Sequence, residues 1–282
     1  MSLSGVHAHC IGIRASITRG IIADMSVQEE ISTKRPAWDS ENLALNPHTV
    51  DDKADRVEAM FTSIARKYDF NNRLHSLWQD QIWRQHTVDI ANVTRNDVVL
   101  DVACGTGDLA MAFCRAGAQS VQGIDFTKAM LDIAMTKAET ADLQITYSQG
   151  DAMALDVPDC SADIVSIAFG IRNVQVPSKA LKEFYRVLKP GGRLVVLEFS
   201  TPQNTLIRMF NNLYTKRIMP ITATLIAHDT SGAYKYLPKS VESFSDAQML
   251  ADEIESAGFE SIDQFPQTFG VCTITRGIKN FT

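Results

Sequence analysis

The residues from Val98 to Asp108 read Val-Val-Leu-Asp-Val-Ala-Cys-Gly-Thr-Gly-Asp, an apolar run that ends on an acid, Asp101, and enters a turn of small residues. Gly105 and Gly107 let a backbone turn sharply and approach a ligand where a Cβ would intrude. A helix opening at Asp108 adds unpaired N–H groups aimed at the turn, a layout suited to a nucleotide-like molecule. The run Gly105-Thr106-Gly107-Asp108-Leu109-Ala110 also satisfies G-x-G-x-x-A, the pattern of nicotinamide dinucleotide sites, so the glycines alone leave the ligand open.

The acids narrow it. Asp101 just before the glycines repels a pyrophosphate and suits a ligand with a cationic amino acid end, which favours a sulfonium nucleoside. Asp125, after the apolar Val121-Gln122-Gly123-Ile124, is placed to accept hydrogen bonds from both ribose hydroxyls. Asp151, in Gly150-Asp151-Ala152, sits where its carboxylate or the adjacent N–H reaches an adenine edge. Each acid alone serves equally as a helix cap, Asp125 before Phe126-Thr127-Lys128 above all. Three at successive strand ends are hard to assign to capping. Two rivals share the turn: a nicotinamide-dependent oxidoreductase of the short-chain kind, which needs a catalytic Tyr-x-x-x-Lys, and a non-catalytic cofactor-binding module, against which the three intact acids weigh.

Positioning these residues requires a βαβ succession. Strands are predicted over Val98 to Val102, Ser120 to Ile124, Gln144 to Ser148, Ile164 to Phe169 and Arg193 to Phe199, with helices near Asp108 to Ala116, Lys128 to Ala138 and Pro177 to Leu188. Such alternation implies a parallel sheet covered on both faces. Upstream, Val57, Met60, Phe61, Ile64, Ala65 and Tyr68 form the stripe of an amphipathic helix, and a second helix is expected from about Leu74 to Asn92. A helix near Asp246 to Ala257 and strands near Ser261 to Phe265 and Val271 to Arg276 would close the sheet edge.

Composition agrees with one domain that binds a small molecule. The chain has 282 residues, 45% of them hydrophobic, and a formal charge of -6, which excludes broad electrostatic binding to nucleic acid. Cys10, Cys104, Cys114, Cys160 and Cys272 never form a C-x-x-C pair, so neither a disulfide framework nor a metal site is expected. The apolar runs are far shorter than the roughly 20 residues that span a bilayer. Residues 1–50 lack periodicity and read as a mobile leader ahead of a single domain over 51–282. Up to Ala23 the leader carries Arg14 and Arg19 and no acid, as in an organelle-targeting peptide. The preferred reading is a bacterial chain with an early start, because Met25 would begin an equally good protein.

Longer segments carry a resemblance. Asp101 to Gly107, D-x-A-x-G-T-G, resembles the first motif of class I S-adenosylmethionine-dependent methyltransferases, with Ala103 where a first glycine is usual. Arg186 to Leu194 resembles the helix, turn and strand after the fourth strand in that class, Pro190-Gly191-Gly192 acting as helix stop and tight reversal. Ala168-Phe169-Gly170-Ile171-Arg172-Asn173-Val174, Leu197-Glu198-Phe199-Ser200, Tyr68-Asp69 with Asn72, Ser76 and Trp83, and Tyr234 to Val241 resemble the C-methyltransferases of ubiquinone and menaquinone biosynthesis, from about Thr49 to Lys279. Trp78 stands at an expected glycine, and Asp80-Gln81 where many members have His-Arg. The menaquinone branch is favoured by His48 to Lys53 and Tyr236-Leu237-Pro238.

The resemblance implies a Rossmann-like α/β fold with a mostly parallel seven-stranded sheet and an antiparallel C-terminal strand. It implies S-adenosylmethionine as cofactor, held by Asp101, Gly105, Thr106, Gly107, Asp125, Asp151, Ala152 and Ala168. The partner it implies is a prenylated quinol methylated on a ring carbon, demethylmenaquinol first. Removing a proton from a ring hydroxyl makes that carbon electron-rich, so a base or a held water must lie near it. The candidates are Arg172, orienting a water or stabilising a quinolate, and His228, Asp229, Tyr234 and Tyr236 in an insertion over residues 204–240; for Arg172 a purely structural ion pair is an equal alternative. A helix from Thr205 to Met219, with Leu206, Met209, Phe210, Leu213, Tyr214 and Ile218 beside Arg208, Lys216 and Arg217, reads as a lid touching a membrane transiently. A helix packed on its own domain has the same pattern. A homodimer stays open, and the expected location is the cytoplasm, peripheral to the inner face of a membrane, or an organelle matrix if the leader is a transit peptide.

Overall fold

The computed structural model describes residues 36–39, 43, 46–219, 221–222, 231–244 and 246–281. The stretch up to Ala23, His228 and Asp229 lie outside the described residues. The elements are α1 (Lys53–Ser76), α2 (Gln79–Ala91), β1 (Val98–Val102), α3 (Asp108–Arg115), β2 (Ser120–Asp125), α4 (Lys128–Thr140), β3 (Thr146–Gln149), β4 (Ala162–Ala168), α5 (Pro177–Val187), β5 (Leu188–Phe199), α6 (Thr205–Leu213), α7 (Ala233–Ser243), α8 (Ala247–Ser256), β6 (Phe259–Gln267) and β7 (Cys272–Lys279).

The seven strands run in the order β3-β2-β1-β4-β5-β7-β6. The first five are mutually parallel, and β7 inserts antiparallel beside β5 with β6 on its far side. Alternate residues divide between two cores, as the period of a pleated strand demands. Leu100, Val102, Val165, Ile167, Leu194 and Val196 pack under α5 and α8, while Val99, Val121, Ile164, Val195 and Leu197 pack under α2 and α3. Order reverses between β1 and β4, the crevice where ligands bind in open α/β sheets.

Three expected boundaries move. The helix expected from Leu74 begins at Gln79, because α1 continues to Ser76 and breaks at Leu77 and Trp78, both left-handed with φ of 51° and 62°. A glycine, which the resemblance leads one to expect at position 78, would take up that conformation without strain. The helix stop expected at Pro190-Gly191-Gly192 comes earlier, α5 ending at Val187 with Leu188 already extended, and these three residues loop out inside β5: Ala162 pairs with Leu188 and Ile164 with Arg193. The leader does not extend to Val50. The compact unit starts at Ala37, Trp38 is 1% exposed, and its backbone N–H donates to Ser231 O. Within the expected insertion lies α7, which the sequence reading missed because Pro238 sits inside it.

Candidate functional site

The loops that follow β1, β2, β3 and β4 enclose a pocket at the carboxyl edge of the sheet. Ala103, Gly105, Asp125, Asp151 and Ala168 line it, together with Ala54, Val57 and Phe61 of α1. A polar hollow continues beneath Tyr68 to Asp101, Thr106 and Arg84. The pocket thus gathers residues from four separate loops.

Asp101 is 1% exposed. Its Oδ1 accepts from Ser166 Oγ at 2.7 Å, and its Oδ2 is buried with no hydrogen-bond partner. Burial pushes its pKa up to about 7, against the Ser166 hydrogen bond and the Arg84 charge, which pull it down. An orphaned buried carboxylate oxygen is costly unless a donor arrives. A cationic amine from a ligand is the donor that fits.

Asp125 holds its own loops as well as facing the pocket. Gly105 N donates to Oδ2 at 2.7 Å and Thr127 N to Oδ1 at 2.8 Å, and burial raises the carboxyl above its usual range. Asp125 does not cap α4, whose N-cap is Thr127 without a side-chain cap bond; it braces the turn just ahead of that helix. Each carboxylate oxygen retains acceptor capacity for a hydroxyl. Asp151 accepts from Met153 N at 2.8 Å in a local turn and lines the pocket beside Ala152.

The small residues divide by role. A Cβ added at Gly105, where φ is +56°, would meet nothing within 4 Å, so this glycine faces the space a ligand would fill. Gly107 does not line the pocket. Its Cβ would strike Tyr147 and Ala134, so it serves close packing of β3 and α4 around the turn. Ala103 is itself left-handed, with φ of 51°, and Gly170 leaves room for its methyl, since a Cβ there would lie 2.7 Å from Ala103 Cβ. The Thr106 hydroxyl is turned away to donate to Asp69 Oδ1, and Lys137 joins Asp69 to Asp108, tying α1 to the cofactor turn.

Tyr185 and Lys189 do have Tyr-x-x-x-Lys spacing, yet neither lines the pocket. Lys189 is paired with Asp163 at 2.7 Å, at the opposite end of β4 from Ala168. That geometry removes the dehydrogenase reading.

A second cavity, of about 300 Å³, lies across Phe61, Tyr68 and Phe169 from the first, those three rings belonging to both walls. Its lining is largely apolar, with Met60, Ile64, Trp83 and Phe199, and Arg172 and Tyr236 line it too. Arg172 Nη1 donates to Glu198 Oε1 and to Phe169 O, both at 2.7 Å, while its Nε is buried without a partner. The structural ion pair is thus present, and the Nε–H is left unpaired. Tyr236 donates to Asn173 Oδ1 at 3.0 Å, and burial pushes its pKa up to about 12. Tyr234 accepts from Asn71 Nδ2 at 2.6 Å. The sequence reading gave no site role to Arg84, which lines the second cavity and the polar hollow, or to Tyr68, noted only for spacing, which lines both cavities and the hollow. Only the helical phase of Tyr68, one turn after Ile64, marked it as inward.

Known proteins show the same arrangement of residues along the chain. Residues 49–279 match the model of the ubiE/COQ5 methyltransferase family. The chain is 45% identical over 219 residues to the demethylmenaquinone methyltransferase of Thermus thermophilus, covering 77% of this chain and 99% of that one. It is 39% identical over 246 residues to the ubiquinone/menaquinone biosynthesis C-methyltransferase UbiE of Geobacter sulfurreducens, covering 86% and 95%. A SAM-dependent methyltransferase from Thermotoga maritima superimposes with a TM-score of 0.56 at 19% identity, over 79% of this chain and 100% of that one. The S-adenosyl-L-methionine complex of phosphoethanolamine N-methyltransferase 2 from Haemonchus contortus gives 0.53 at 15% identity, over 72% and 53%. At those identities the likeness to the two structures is one of fold.

Proposed function

Because this chain belongs to the ubiE/COQ5 methyltransferase family, we propose that it methylates a ring carbon of a demethylated prenyl quinol, with demethylmenaquinol as its acceptor. The protein is a methyltransferase, and its methyl donor is S-adenosylmethionine. The residues fit that donor: Asp101 Oδ2 lacks a partner for an amine, Asp125 faces the pocket with acceptor capacity left for ribose hydroxyls, and Gly105 leaves the approach open.

The observation that carries the acceptor is the apolar cavity meeting the donor pocket at Phe61, Tyr68 and Phe169. A bound sulfonium supplies a methyl that is already reactive, so these walls contribute alignment and exclusion of water. Arg172, fixed by Glu198, offers its free Nε to a water or to the oxygen of an ionised ring hydroxyl. Tyr236, protonated at neutral pH, shapes the cavity and is not a base. The Thermus thermophilus relative, a demethylmenaquinone methyltransferase, and the segments around His48 and Tyr236 favour the menaquinone branch.

The same reading supplies a membrane face. No residue of α6 is buried. Leu206, Met209, Phe210 and Leu213 are exposed on it, as are Leu77, Trp78 and Phe269 near the rim of the acceptor cavity. Thr268 Oγ1 accepts from Trp83 Nε1 at 2.8 Å and donates to Gln79 Oε1 at 3.3 Å, bringing Phe269 and Trp78 to one side of the mouth. Residues 201–222 hold Arg208, Lys216 and Arg217 and no acid, which suits anionic headgroups. Among the described residues no helix is long and apolar enough to cross a membrane.

Acceptor choice is tested by offering the purified protein reduced demethylmenaquinone and a demethylated benzoquinol in competition. Preferential methylation of the naphthoquinol supports the menaquinone branch, and preference for the benzoquinol overturns it.

A further inference from the structure

His75, in the last turn of α1, lines the acceptor cavity, and its hydrogen bonds determine its tautomer. The final carbonyls of a helix have no partner within the helix. The caps after Ser76 satisfy Arg73 O and Leu74 O, and His75 O receives the Tyr214 hydroxyl at 3.1 Å. A tyrosine has one proton to give. His75 Nδ1, 2.9 Å from Tyr214 Oη, must therefore be the donor in that contact. The opposite tautomer would strand both His75 O and a buried Nε2–H, and unsatisfied buried groups cost more than one bare acceptor. Nε2 is left as a buried lone pair without a partner.

Tyr214 opens a π-helical turn, Tyr214–Ile218, directly after α6. Such widened turns concentrate at functional sites, and this one aims the tyrosine back onto α1. The pair is thus a built polar station in the wall of an apolar cavity.

We propose that His75 Nε2 accepts a hydrogen bond from a hydroxyl of the acceptor's aromatic ring, with Tyr214 holding the imidazole in the required tautomer. This rests on the acceptor being a quinol. The other charged side chains at the cavity sit in ion pairs, Asp80 with Arg84 at 3.0 Å and Arg172 with Glu198 at 2.7 Å, the Arg172 Nε–H being a donor and no acceptor, while burial raises the Tyr68 and Tyr236 phenols and keeps them protonated. Burial alone acts on His75 and lowers its pKa, which keeps Nε2 bare at neutral pH. Protonation at acid pH turns the acceptor into a donor.

Nitrogen-15 NMR of the full-length protein, with His75 assigned by its loss in His75→Leu, reads the tautomer directly. The proposal expects Nδ1–H and a shift of Nε2 on adding 1-naphthol as a probe; an Nε2–H tautomer, or no shift at saturating naphthol, overturns it. In methyl-transfer kinetics, His75→Leu is expected to raise the acceptor KM about tenfold, the worth of one buried hydrogen bond, with S-adenosylmethionine affinity unchanged. His75→Gln, which keeps an acceptor, is expected to recover most of that loss and to lose the acid limb of the kcat/KM profile. A wild-type KM in His75→Leu, with quinol methylation intact, overturns the site alone. A wild-type protein that shifts Nε2 with naphthol yet methylates no quinol overturns the acceptor reading and supports the phenol site.

Discussion

Trp38 stacks on Tyr236 with ring centroids 4.4 Å apart and planes inclined by 24°. A residue ahead of the first long helix therefore holds a ring that lines the acceptor cavity. Arg56 lies over the Trp38 ring at 5.8 Å, and Tyr234 and Met60 complete the cluster. Trp38→Ala is expected to cost about 3–5 kcal/mol, the range for a buried large aromatic, and to raise the acceptor KM more than the cofactor KM. Denaturant unfolding and two-substrate kinetics check both.

Asp101 couples cofactor binding to pH. Its folded value of about 7 lies above the unfolded one near 3.8. Stability from the neutral carboxyl is thus full below the unfolded value and is lost as pH rises through about 7. The ligand-free protein should melt lower at pH 8 than at pH 6, and Asp101→Asn should flatten that difference. A cationic amine favours the ionised form, so calorimetry should show cofactor affinity in the wild type falling as pH drops below about 7, and weak binding in Asp101→Asn throughout.

The alanine at 103 is strained where a glycine would not be. Ala103→Gly is expected to stabilise the protein by up to about 1 kcal/mol, leaving cofactor affinity intact. Gly170→Ala should destabilise it, because the new methyl would meet Ala103 Cβ at 2.7 Å. Thermal melts of the two variants separate the effects.

Glu198 is 2% exposed and holds Arg172, so Glu198→Ala leaves a buried uncompensated cation and should cost about 3–5 kcal/mol. The milder Glu198→Gln, which still accepts a hydrogen bond, should keep the fold and lower kcat while cofactor affinity stays constant. Equal losses in kcat and cofactor affinity would show that the pair only braces the loop.

The proposed membrane face is separable from catalysis. Flotation with vesicles containing anionic lipid should recover the wild-type protein and fail for Trp78→Ser combined with Phe210→Ser, whose turnover of a short-chain acceptor in detergent should be unchanged. Flotation of the double variant equal to wild type removes the assignment of that face.

Much of the fold was legible because a buried parallel sheet writes itself as short β-branched runs; β1 was expected over the residues it occupies, and β2 within one. The donor pocket was legible because its acids sit at strand ends, a position the sequence order reveals. The acceptor side was not. Pro238 disguised α7, the left-handed break at Leu77 and Trp78 has no glycine to announce it, and His75 acquires meaning only when Tyr214, 139 residues away, returns to it. Trp38 was hidden for the same reason, its partners lying on α1 and α7.

The central claim is tested most directly by incubating the full-length protein with methyl-labelled S-adenosylmethionine and reduced demethylmenaquinone, and identifying the lipid product by mass and fragmentation. The account predicts one labelled methyl on a ring carbon of the naphthoquinol, with none on oxygen. Label on a hydroxyl oxygen, or no transfer to any prenyl quinol while the cofactor is bound, would contradict it.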